Sequence, residues 1–190
     1  MEMFSDYKLR IFIDSDGEFE VLINDDCVIL NKNIVLYENS KVKIRNNHIK
    51  IIDHSTAKIF GSAAVSIRDN AKIKAYGCAD VKAYDWASVE AHNIVSLGLF
   101  DYASAESFDK VFVVACDYSS IKSHHKSNVR AYSFSKVIAY DFSQINACDN
   151  SEIQLYDNSH AQVFDNAKVE HNNKATSTAC GKSSILQRLL

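Results

Sequence analysis

Proline is absent from this chain of 190 residues and glycine occurs only five times. A sequence so poor in both offers no flexible linker and no break in composition where a second domain would begin. One domain is expected, long enough for a real core. Charge of one sign is also missing: a net charge of −3 excludes a generally basic, nucleic-acid-binding surface. No apolar run approaches the length that spans a bilayer. The first residues, Met1 to Asp6, contain no basic segment followed by an apolar one, so no signal peptide is read and a cytoplasmic location is expected.

Catalytic signatures are lacking as well. There is no Gly-rich phosphate loop, no nucleophile-elbow pattern and no insertion long enough to wall a pocket. The Gly-rich nonapeptide of calcium-binding solenoids is missing too. Hence no enzyme activity, no cofactor and no metal are expected. The five cysteines are odd in number. Cys116, Cys148 and Cys180 recur every 32 residues, a spacing that in the architecture derived below separates their Cα atoms by about 9–10 Å, beyond disulfide reach. With Cys27 and Cys78 on distant coils, free thiols and a reducing compartment are expected.

What is present is a period of eight, unbroken from Asp53 to Cys180. In register the chain reads DNAKIKAY (69–76), GCADVKAY (77–84) and DWASVEAH (85–92), and the pattern persists at DNSEIQLY (149–156) and DNAKVEHN (165–172). Over sixteen octads the third residue is Ala or Ser in 14 and the fifth is Val or Ile in 11, while the fourth and sixth are mostly polar. Alternation of period two around a β-branched residue is a half-buried strand. The eighth, first and second residues form a corner, where Asp, Asn and Gly suit a tight turn. A helical period of 3.6 cannot stay in phase with eight.

Alternate octads differ, and the difference sets the size of one coil. From Asp53 the first position of every second octad reads Asp53, Asp69, Asp85, Asp101, Asp117, Ser133, Asp149, Asp165, whereas the intervening octads have Asp in only three of eight. Trp86, Tyr102, Tyr118 and Phe134 also lie 16 residues apart. The expected fold is therefore all-β, a two-sided β-solenoid of 16-residue coils, roughly 35–40 Å long at a strand spacing of about 4.8 Å. Residues 30–180 form the solenoid, with one slip where 46–52 is a residue short of an octad. Residues 1–29 read as an N-terminal β-hairpin cap, its strands at 7–13 and 18–23. Residues 181–190 form a C-terminal cap or tail, with an amphipathic turn of helix expected at 184–190.

In period and in its small inward residues, the segment 53–180 resembles the repeat of bacterial ice-nucleation proteins. That resemblance implies the fold. The outward rows carry Lys72/Lys74, Asp80/Lys82, Ser88/Glu90 and Glu152/Gln154 where that family carries Thr-x-Thr; only Thr56 and Thr176/Thr178 are comparable. The Asn-Ala-Lys-Val wording also resembles octad-repeat proteins of phages and mobile elements.

Four surfaces are candidates for function. The acidic edge is the column Asp53, Asp69, Asp85, Asp101, Asp117, Asp149 and Asp165, which either caps turn amides, binds cations, or presents carboxylates to a partner in imitation of a phosphate backbone. The aromatic ladder Trp86, Tyr102, Tyr118, Phe134 is either internal stacking or an exposed apolar strip. Phe112 and Val114 occupy outward positions, with Ile94 at the adjoining corner; they are either a partner or homodimer face or the product of a local register slip. The stretch 122–130, with Lys122, His124, His125, Lys126 and Arg130, is the most basic, and one such row reads as a solvated edge.

A non-enzymatic protein-binding module is the expected function, as an inhibitor or scaffold encoded by a phage or mobile element, acting on a host protein or on a copy of itself. DNA mimicry is one version, by analogy of shape with pentapeptide-repeat solenoids. Two other classes remain open. An ice-binding or surface-structural protein would show a regular Thr row, and a solenoid enzyme would show a cleft lined by convergent polar groups.

Overall fold

The computed structural model describes the backbone of the strands from Leu9 to Phe60, with the side chains of Lys58 and Ile59, residues 64–172 and 174–186 with their side chains, and the backbone of Gln187. Each octad lays down one four-residue strand from its fourth to its seventh position, as at Lys72–Ala75, Asp80–Ala83 and Ser88–Ala91. Among the described residues, successive octad strands alternate between two sheets, one of twelve strands and one of ten, in which the octad strands pair in parallel. Within each sheet the neighbour of a residue is the residue 16 positions away, for example Val89 with Ile73 and Ala105, or Leu97 with Val81 and Val113. The chain is thus a two-sided β-solenoid of 16-residue coils.

The inward rows are small for a geometric reason. Third, fifth and seventh positions from both sheets meet across one narrow interior, which Ala71, Ile73 and Ala75 fill in one strand and Ala79, Val81 and Ala83 in the next. Burial of that apolar surface, repeated coil after coil, is the main stabilising term. Serine at the third position is also buried, as at Ser119, Ser135 and Ser151. Three of these hydroxyls turn back to a local carbonyl: Ser159 donates to Tyr156 at 2.6 Å, Ser151 to Cys148 at 2.8 Å and Ser127 to His124 at 2.9 Å.

The corners explain the repeat's Asp, Asn and Gly. Among the described residues, twelve non-glycine residues have φ between 55° and 66°, and all twelve stand at the first position of an octad. A side chain in this left-handed region is strained unless it is Gly or a short polar residue that bonds locally. Trp86 and Tyr102, next in the turn, donate their amides to the carbonyls of Asp69 and Asp85 one coil away at 2.9 and 3.0 Å. The corners are therefore hydrogen-bonded between coils as firmly as the strands.

Towards the N-terminus the pairing shifts by one residue where the octad count slips. Lys41 faces Thr56 and Ile34 faces Ile49, both 15 apart, whereas His48 faces Ala64, 16 apart. Leu9–Ile13 and Phe19–Ile23 pair antiparallel and join the long sheet through Lys41–Arg45, where they form its N-terminal end. At the other end, Ser184–Gln187 is a strand and not the turn of helix expected at 184–190. It lies 16 residues after Lys168–His171 and simply continues that ladder, so its backbone groups find partners already in place. Residues 188–190 lie outside the described residues.

Candidate functional site

Two corners run the length of the rod. The corner leading from the short sheet into the long one carries the acidic column and, one residue further on, the aromatic ladder. Stacking of identical positions brings the ring of Trp86 to 4.6 Å from that of Tyr102, Tyr102 to 5.4 Å from Tyr118, and Tyr118 to 5.3 Å from Phe134, all within 12° of parallel. The stack does not bury them. Trp86 is 64% exposed, Tyr118 55%, and Tyr102 and Phe134 49% each. Both readings of the ladder therefore hold together: the faces are spent on one another, and the ring edges form an apolar strip open to solvent.

Beside the strip, Asp85, Asp101, Asp117, Asp149 and Asp165 of the acidic column each cap the coil beneath. The amide of Asp69 donates to Asp85, that of Asp85 to Asp101, and that of Asp101 to Asp117, each at 3.2 Å; Ser133 and Asp149 donate likewise to Asp149 and Asp165. In the caps made by Asp85, Asp101, Asp117, Asp149 and Asp165 one carboxylate oxygen takes the amide, and a carboxylate has a second oxygen able to accept. Asp53 lies outside the described residues. Among the described residues no carboxylate reaches the amide of Asp117, because Ser133 replaces Asp there and its hydroxymethyl is too short.

The opposite corner shows that this capping is general, which the composition alone did not reveal. The amide of Asn93 donates to Asp109 at 3.0 Å, that of Asp109 to Nδ1 of His125 at 3.1 Å, and that of His125 to Asp141 at 2.9 Å. His125 thus acts as one more cap. Its neighbour His124 belongs to a second ring stack, Tyr76, His92, Phe108, His124, Tyr140 and Tyr156, with centroids 4.8–5.1 Å apart. These rings are half-buried. The eighth-position recurrence of aromatic residues in alternate octads was the signal for this stack. Phe142, 58% exposed at the same corner, was also missed.

The basic stretch 122–130 is dispersed by the fold. Lys122 projects from the long sheet and Arg130 from the short one, with His124 and His125 at the corner between them. His124 bonds Glu106 at 3.0 Å.

Phe112 and Val114 do point outward, since Val113 and Ala115, which alternate with them, are fully buried. No local register slip turns them in. Phe112 is 37% exposed, and the Arg130 guanidinium lies 5.3 Å from its ring centre. Val114 is half-buried and faces Gly98, where an added Cβ would stand 3.0 Å from the Phe100 ring. Ile94, 64% exposed, sits at the adjoining corner that leads into the short sheet, one coil below. This face is a smaller apolar surface than the ladder.

The thiols of Cys78, Cys116, Cys148 and Cys180 are free. Burial, with Asp117 and Asp149 nearby, pushes the Cys116 thiol up; burial, with Asp165 and Asp149 nearby, does the same to Cys148. Cys27 lies outside the described residues. Among the described residues no helix is long and apolar enough to cross a membrane.

No family model, curated protein or solved structure matches this chain.

Proposed function

We propose that this chain is a non-enzymatic protein-binding module, a cytoplasmic rod that inhibits or scaffolds a partner through its aromatic–acidic corner. The observation that carries the reading is the exposure of Trp86, Tyr102, Tyr118 and Phe134 in one continuous stack. Aromatic edges held rigid by their neighbours offer large contact area with little side-chain entropy left to lose, which is how binding hot spots are built. The attribution to a phage or mobile element rests on the wording of the octads alone. The likeness to ice-nucleation repeats supports the coil and not that activity, since the outward rows near the ladder hold Ser88, Ser104 and Ser120. DNA mimicry draws on the negative charge of the stacked capping carboxylates; Ser133 interrupts that column and the net charge of −3 keeps it modest.

Phe112 and Val114 favour a second use, a homodimer through the short sheet, because both project from a strand whose other residues are buried. Light scattering on the wild type and on Phe112→Lys/Val114→Glu tests this arm: a dimer converted to a folded monomer supports it, and identical masses remove it. For the corner, a displayed random-peptide library is panned against the wild type with Tyr102→Ser/Tyr118→Ser as counter-selection. Enrichment of peptides that bind only the wild type is the expected result. Equal enrichment on both proteins, or none, overturns the reading.

A further inference from the structure

Along the ladder, neighbouring ring centres lie 4.6, 5.4 and 5.3 Å apart, and successive coils rise by about 4.8 Å along the rod. An α-helix lying parallel to the rod axis advances 5.4 Å per turn, so side chains at i, i+4, i+7 and i+11 drift from the coils by only about 2 Å over the whole ladder. An extended strand repeats on one side every 6.8 Å or so and drifts by about 6 Å over the same length. The ladder is therefore in register with a helix and out of register with a strand.

The chemistry beside the rings specifies the helix. Asp85, Asp101 and Asp117 flank the strip on one side, and the three turns that carry the ladder's first three rings, at 84–88, 100–104 and 116–120, contain no Lys or Arg. On the other side the outward row is Ser88, Ser104 and Ser120, small enough to let a backbone approach the ring edges. Lys72 and Lys136 continue that row at its two ends and so bound the acidic stretch to about three coils.

We infer that the occupant of this corner is a basic amphipathic helix of three to four turns, its apolar stripe on the edges of Trp86, Tyr102, Tyr118 and Phe134 and its Lys/Arg stripe on Asp85, Asp101 and Asp117. This rests on the corner being a protein-binding surface, as proposed above, and adds the shape and charge of the partner.

Trp86 is the only tryptophan, so its emission reports directly on the ladder. The probes are two tryptophan-free peptides of about fifteen residues, four turns of helix, with the same Leu/Lys/Ala composition. One has Leu and Lys in helical stripes, the other in strict alternation. The expected result is a saturable change in Trp86 emission with the helical peptide only, with an affinity that falls as salt is added. Asp101→Asn/Asp117→Asn keeps the turn and its amide cap, and is expected to weaken that binding by about fivefold at low salt. Equal or tighter binding of the alternating isomer overturns the helix, as does unchanged affinity in the Asn variant. If the alternating isomer binds and Tyr102→Ser/Tyr118→Ser abolishes it, the corner remains a protein surface and only the helix falls. Binding insensitive to those Ser substitutions, or no binding of either peptide, overturns the inference and removes the corner as its site.

Discussion

The carboxylate of Asp101 accepts a hydrogen bond from the backbone amide of Asp85, one coil away, at 3.2 Å, while Asp101 itself holds φ at 55°. One residue type thus meets two demands at this corner: it tolerates the left-handed backbone and it satisfies an amide that the strand ladder leaves over. Asp101→Asn retains both features and is expected to unfold close to the wild type. Asp101→Ala loses both and is expected to destabilise by about 1–2 kcal/mol in urea titration. Ser133→Asp, which supplies the missing cap to the amide of Asp117, is expected to raise stability by about 0.5 kcal/mol. A destabilising Ser133→Asp would mean that repulsion between stacked carboxylates outweighs the cap.

Buried serines divide into two classes with opposite responses. The hydroxyls of Ser119 and Ser135 are buried without a hydrogen-bond partner, whereas Ser159 donates to Tyr156 and to Ala139. Ser135→Ala is expected to be neutral or stabilising, and Ser159→Ala to cost about 1 kcal/mol, by the same denaturant measurement.

Thiol reactivity is expected to follow position in the repeat. Cys78 and Cys180 are exposed, while burial raises the thiols of Cys116 and Cys148. Since the thiolate is the nucleophile, iodoacetamide at mildly alkaline pH should label Cys78 and Cys180 well before Cys116 and Cys148, as read by peptide mass mapping.

One carboxylate off the ladder gives a pH signature. Lys74 donates to Glu90 at 2.7 Å and His92 stands 2.9 Å from it, which together hold the Glu90 carboxyl below its ordinary value. A lowered carboxyl contributes stability above the unfolded value, about pH 4.3, and loses it as pH falls through the folded one. Glu90→Gln should therefore sit slightly below the wild type at neutral pH, with the two curves converging in acid. A gap that persists below that range would assign the effect to packing.

Much of this architecture was legible in the residues. Small inward positions at Ala71, Ala79 and Ala87, with Ile73, Val81 and Val89 between them, leave no other fold for a period of eight, and the alternation of Asp85 with Asn93 marked two octads as one coil. The strand at Ser184–Gln187 was misread because its Ile185-Leu186 pair looks amphipathic in isolation, although GKSSILQR is one more octad. The half-buried stack from Tyr76 to Tyr156 was missed because Tyr, His and Phe do not look alike as letters, yet each presents a flat ring at the same position. Whether Trp86 and its column would be covered could not be read from spacing alone, since stacking and exposure are independent properties of a ladder. The capping role of His125 was hidden for a related reason: only the geometry shows that Nδ1 takes the place of an Asp oxygen.

The central claim is that the corner, and not the flat sheet, binds other polypeptides. Its most direct test is the dissociation constant of one wild-type-selected peptide, measured side by side on Tyr102→Ser/Tyr118→Ser and on Phe112→Lys/Val114→Glu. A loss of at least about tenfold is expected on the first, the scale of a hot-spot pair, with affinity on the second nearly unchanged. A peptide that loses affinity only on the Phe112→Lys/Val114→Glu variant would contradict it and move the binding surface to the short sheet.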